Sequence, residues 1–94
     1  MNSTIELLDH ALATQRQSDP KASERALSMR IGLSAAALAV ARKRGNLSPV
    51  AAGQLAVLIG EDFEHWMAVA AIEAEPKSRQ TEQLRRMITA VRKS

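Results

Sequence analysis

Arg42, Lys43 and Arg44 stand in succession, and Lys21, Arg25 and Arg30 precede them with Glu24 as the one carboxylate between residues 21 and 44. Guanidinium and ammonium groups at this density suit an anionic partner, because they stay protonated and donate hydrogen bonds to phosphate or carboxylate oxygens. The other chemically capable residues are scattered. The chain has no cysteine, which removes thiolate metal sites, cysteine nucleophiles and disulfides. His10 and His65 have no clustered carboxylates at metal-ligand spacing, so neither a metal nor a cofactor is predicted. Serines, histidines and acids occur without a Gly-rich turn or an activated pair, and Gly45, Gly53 and Gly60 do not form a phosphate loop. Glu61, Asp62 and Glu64 bring too few oxygens for calcium and fit the start of a helix. Trp66 and Met67 read as core. The sequence predicts no enzyme and no small-molecule ligand.

The charge distribution is blocked along the chain. Residues 1–20 carry −2, residues 21–44 carry +5, residues 45–76 carry −5 and residues 77–94 carry +5, giving +3 overall. Two basic blocks on a chain of 94 residues point to a polyanion. The segment MNSTIELLDH has no cationic stretch ahead of an apolar one, and no apolar run approaches the roughly 18 residues of a membrane span. With the absence of cysteine, this predicts a cytoplasmic protein that does not engage a membrane.

The elements that must position these residues are helical. Hydrophobic residues make up 46% of the chain and are mostly Ala, Leu, Val and Ile, with one Trp, one Phe and no Tyr. That composition favours an all-α fold of one domain. A capping box, Ser3-x-x-Glu6, opens a first helix with Ile5, Leu8 and Leu12 on one stripe, fading near Gln17. Asp19-Pro20 is a turn, and Ser23 caps a second helix reaching Ile31, stopped by Gly32. Ser34 is placed to cap a third helix from Ala35 to about Lys43, closed by Gly45-Asn46. Ser48-Pro49 opens a fourth, with Val50, Leu55, Leu58 and Ile59 inward and Gly60 as its stop. The fifth directs Phe63, Trp66, Met67, Val69, Ala70 and Ile72 to the core and ends at Pro76. A sixth, from about Ser78 to Arg92, aligns Leu84, Met87, Ile88 and Val91 opposite its basic residues. The predicted division is therefore a helical domain over residues 1–76 and a C-terminal basic amphipathic helix over 77–94. That helix either packs on the domain or dimerises it through the four-residue stripe.

The second and third helices, joined through Gly32-Leu33-Ser34, place Leu27, Ile31, Leu33, Leu38 and Ala41 so that all face inward, which is the spacing of a helix-turn-helix. With one helix before this pair and more after it, the chain resembles the lambda repressor and Cro-like family over roughly residues 3–75. It is also similar to small regulators of filamentous and related phages and prophages, in which Ala-Glu-x-x-Gly and a tryptophan-containing helix follow the motif. Here those parts read Leu55-Ala56-Val57-Leu58-Ile59-Gly60-Glu61-Asp62 and Glu64-His65-Trp66. Ser28 stands where the family often has a small alanine.

This resemblance implies a five- to six-helix domain that binds double-stranded DNA and regulates transcription, by default as a repressor. The third helix would enter the major groove and the start of the second would touch phosphate. Carried onto this chain, Ser23, Glu24 and Arg25 fall at the phosphate-contacting end, and Ser34, Ala35, Ala36, Ala39, Val40 and Lys43 on the groove side. Arg42, Lys43 and Arg44, with Asn46 just beyond, would hold phosphate. Small side chains permit close approach, and Ala and Val can touch thymine methyl groups. A homodimer on a DNA operator is expected. The alternative is a protein-interaction module on the same scaffold, such as an antitoxin or adapter whose alanine face takes a partner helix.

Overall fold

The protein is described here from a computed structural model, which describes residues 2–75, 83–84 and 86–88. It is all-helical, with no strand among the described residues. Five helices follow in chain order: α1 (Thr4–Ser18), α2 (Glu24–Arg30), α3 (Ala37–Arg44), α4 (Pro49–Leu58) and α5 (Phe63–Ala74). Gln83, Leu84, Arg86, Met87 and Ile88 are also helical. Val91 and the rest of the predicted sixth helix lie outside the described residues. No helix among them is long and apolar enough to cross a membrane.

Polar side chains set most of the helix starts. Ser3 accepts from the Glu6 N–H, Ser23 from Ala26, Ser48 from Ala51, and Asp62 from Glu64 and His65, each satisfying a donor that the helix cannot. The Glu6 carboxylate reaches the Asn2 N–H at 3.1 Å, one residue before its expected capping-box partner. Proline opens α4 at its first turn, where no N–H is needed. Three stops depend on glycine: Gly32 has φ +82°, Gly45 φ +96° and Gly60 φ +76°, a left-handed geometry that side chains resist.

The core forms where α1, α4 and α5 meet and where α2 and α3 close against them. Leu7, Leu8, Ala11 and Leu12 of α1 face Ala52, Leu55 and Ala56 of α4 and Trp66 and Ala70 of α5, all buried. Leu27, Leu38 and Ala41 extend the cluster into α2 and α3, with Ile31 and Leu33 half-buried against it. The five expected inward residues of the second and third helices therefore do pack together.

Three inward assignments need correction. Val50 is 58% exposed, and Phe63 is 46% exposed with Met67 beside it at the surface. In α4 the buried residues are Ala51, Ala52, Gly53, Leu55 and Ala56, and Val50 lies on the side of the helix away from Ala51, Ala52, Leu55 and Ala56. In α5, Trp66 and Ala70, one turn apart, define the inward line, and Phe63 and Met67 flank it. Both helices are apolar nearly all round, so hydrophobicity alone did not select the face.

A polar knot fastens the first helix. Thr4 is fully buried. Its N–H donates to Glu73 Oε2 at 3.0 Å, its hydroxyl donates to Glu73 Oε1, and the same hydroxyl accepts from the Leu47 N–H at 2.9 Å. One side chain thus joins the start of α1, the loop before α4 and the last turn of α5.

Candidate nucleic-acid interface

The geometry of α2 and α3 begins with hydrogen bonds. Ser23 caps α2, leaving Arg25 exposed in the first turn. At the other end, the Gly32 N–H donates to the Met29 carbonyl and the Leu33 N–H to the Ser28 carbonyl, closing α2 and turning the chain toward α3. Helix α3 starts at Ala37, two residues later than predicted, and Ser34 does not cap it through its side chain. The Ser34 carbonyl accepts from the Ala37 N–H in a turn. The cap comes from α2 instead: the buried Ser28 hydroxyl accepts from the Leu38 N–H at 3.1 Å and donates to the Glu24 carbonyl at 2.8 Å. A side chain one helix earlier satisfies the donor that a local cap would otherwise serve.

That bond fixes which way α3 faces. Leu38 and Ala41 are buried, while Ala36, Ala39, Val40 and Lys43 are exposed. These four follow the spacing of a single helix face. Val40 is 53% exposed, the largest apolar feature of an otherwise flat surface. Ser34 is exposed at the edge and Ala35 half-buried. The expected groove side therefore lies outward as one surface.

The three consecutive cations do not share one environment. Arg42 is half-buried and bridges two other helices: its Nε donates to Glu24 Oε2 of α2 and its Nη2 to Asp9 Oδ1 of α1, each at 2.6 Å. The bond to Glu24 first, then that to Asp9, raises the guanidinium pKa above its ordinary value, so it is cationic at every working pH. Arg44 donates from Nε to Asn46 Oδ1 at 2.9 Å and from Nη2 to the Asn46 carbonyl at 3.1 Å. This contact orders the edge just past Gly45 and joins two of the residues expected at phosphate. Lys43 points outward beside Val40, and the described ion pairs include none of Lys43, Arg25 and Arg30.

The structure thus brings together Ser34, Ala35, Ala36, Ala39, Val40 and Lys43 on or beside α3, with Arg44 and Asn46 at its far end. Arg42 joins helices from the inner side. Leu84, Met87 and Ile88 line a cleft with the capping residue Asp62 and Glu64, His65 and Ala68 of α5; Leu84 and Met87 are exposed and Ile88 half-buried. The fourth residue of that stripe, Val91, lies outside the described residues. Sequence reasoning missed Ser28, Thr4 and Glu73, whose polar side chains serve distant helices and follow no local spacing. Comparison with known proteins finds no matching family model, no matching curated protein and no matching solved structure.

Proposed function

We propose that this protein is a helix-turn-helix DNA-binding regulator of the lambda repressor and Cro-like type, with α3 as the helix that enters the major groove. The observation that carries this reading is the division of α3: Leu38 and Ala41 anchor one side in the core, while Ala36, Ala39, Val40 and Lys43 leave the other side open and nearly flat. A helix so trimmed can approach base edges closely. Its methyl and isopropyl groups suit thymine methyls, and Ser34 and Lys43 supply hydrogen-bond donors.

Affinity in this reading comes chiefly from phosphate. Lys43 and Arg44 sit at the end of the reading helix, and Ser23 and Arg25 at the start of α2, the two places from which this kind of pair grips the backbone on either side of a groove. Arg42 acts by holding α3 against α1 and α2. The protein works as a homodimer on an operator in cytoplasmic DNA, its half-sites about one helical turn, roughly 34 Å, apart. Occupying that operator represses transcription, and no cofactor or catalytic step is involved.

The test is titration of a fluorescent random-sequence duplex over a range of salt. Four to eight neutralised phosphates give a slope of log affinity against log salt of about −4 to −7. A slope near zero, or no binding at low salt, would turn the reading toward a protein-interaction module such as an antitoxin or adapter.

A further inference from the structure

Three methionines lie among the described residues, in different surroundings. Met29, on the outer side of α2, is 60% exposed, and Met87, over the cleft beside α5, is 58% exposed. Met67 of α5 is 36% exposed and lines a shallow groove between α4 and α5. A Cβ on Gly53 would meet Met67 Cγ at 2.8 Å and its sulfur at 3.0 Å, too close for a real side chain. The thioether therefore fills the space that a side chain at residue 53 would need. It covers Gly53, which is buried although it belongs to the groove. Met67 thus has one side against the α4 backbone and another open to solvent.

We infer that Met67 is an oxidation site whose sulfoxide loosens the packing of α4 on α5, a reversible redox switch in stability. An oxygen-atom donor such as hydrogen peroxide reaches the thioether through the open groove. A sulfur lone pair attacks one peroxide oxygen, the O–O bond breaks as the S–O bond forms, and the second oxygen leaves as water. Sulfur is oxidised by two electrons and the peroxide reduced by two. The product is polar and chiral, and it disrupts apolar packing. The backbone N–H groups of α4 around Gly53 are committed to the helix, so the sulfoxide oxygen finds its hydrogen bonds on the open side of the groove. The side chain must turn outward to reach them. Glycine has no side chain to fill the space left behind, so α4 loses a contact at its middle. Met29 and Met87, already more open, carry a hydrated sulfoxide without moving a helix. Because α1, α4 and α5 form the core against which α2 and α3 close, the switch acts on the whole domain. It does not depend on the DNA-binding reading, since it is a property of the free protein.

Thermal melting of the full chain after hydrogen peroxide treatment tests it, with the sulfoxide content of each methionine read by peptide mass spectrometry. Wild-type molecules carrying the Met67 sulfoxide are expected to melt about 4–8 °C early, the shift for a modest loss in a domain of this size. Methionine sulfoxide reductases are expected to restore them. Met67→Leu, a volume-conserving exchange, is expected to melt as untreated wild type does before and after peroxide. The double variant Met29→Leu/Met87→Leu is expected to lose stability as wild type does, and Met67→Gln, with a polar side chain of similar length, to melt early without oxidant. Should Met67→Leu itself melt early, the match in wild type between the fraction of Met67 sulfoxide and the early-melting fraction decides. Four results would overturn the assignment: Met67 left intact while Met29 and Met87 are converted, an unchanged melting temperature with Met67 oxidised, Met67→Gln as stable as wild type, or a peroxide effect that persists in Met67→Leu or vanishes in the double variant.

Discussion

The Ser28 hydroxyl of α2 accepts the Leu38 N–H of α3 at 3.1 Å, so the first turn of the proposed reading helix is capped by the helix before it. Because Ser28 and Leu38 are both fully buried, no water replaces that acceptor. The bond sets the rotation of α3 about its axis, and that rotation decides which side chains face outward.

Ser28→Ala leaves the Leu38 N–H buried without its partner. The expected loss is about 1–3 kcal/mol, which for a domain of this size lowers the melting temperature by about 4–8 °C per kcal/mol. Calorimetry checks this; a melting temperature equal to wild type would mean that the turn caps itself.

Thr4→Val keeps the shape of the side chain and removes its hydroxyl. The Leu47 N–H loses its acceptor and the Glu73 carboxylate one of its two donors from Thr4. A cost of about 2–3 kcal/mol is expected, near the upper end for a lost hydrogen bond to a charged group. Urea unfolding followed by circular dichroism reads it, and amide exchange at Leu47 is expected to accelerate beyond the global change.

Arg42 and Lys43 separate two roles for adjacent cations. Arg42→Gln breaks the bridges to Glu24 and Asp9, which are partly exposed and so contribute about 1 kcal/mol or less. It is expected to lower stability slightly and leave the salt dependence of DNA binding nearly unchanged. Lys43→Ala is expected to leave the melting temperature alone and reduce the salt slope by about 1, the amount for one phosphate contact. Equal slopes for the two variants would show that Arg42 also reaches the backbone.

Much of this arrangement was legible in the sequence because it is local. The serine caps at residues 3, 23 and 48 and the stops at Gly32 and Gly45 need only neighbours in the chain, and all were identified from them. The open face of α3 follows from placing Leu38 and Ala41 inward and counting around the helix. What failed was what only tertiary contact decides. Ser34 stood in the right position to cap α3, yet the cap came from Ser28. Arg42 looked like one of three equivalent cations until Asp9 and Glu24 met it from two other helices. In α4 and α5 apolar residues surround both axes, so nothing in their pattern distinguished Val50, Phe63 and Met67 from the residues that became core.

The central claim is that the open face of α3 lies against DNA, and Ala39→Glu tests it most directly. Ala39 is exposed and glutamate is a good helix former, so the variant should fold and melt as wild type does. Titration of duplex DNA at low salt should then show affinity reduced by about a hundredfold or more, since like charges brought together across an interface cost several kcal/mol. Wild-type affinity in a folded Ala39→Glu variant would contradict the account, because this face would then not touch the DNA.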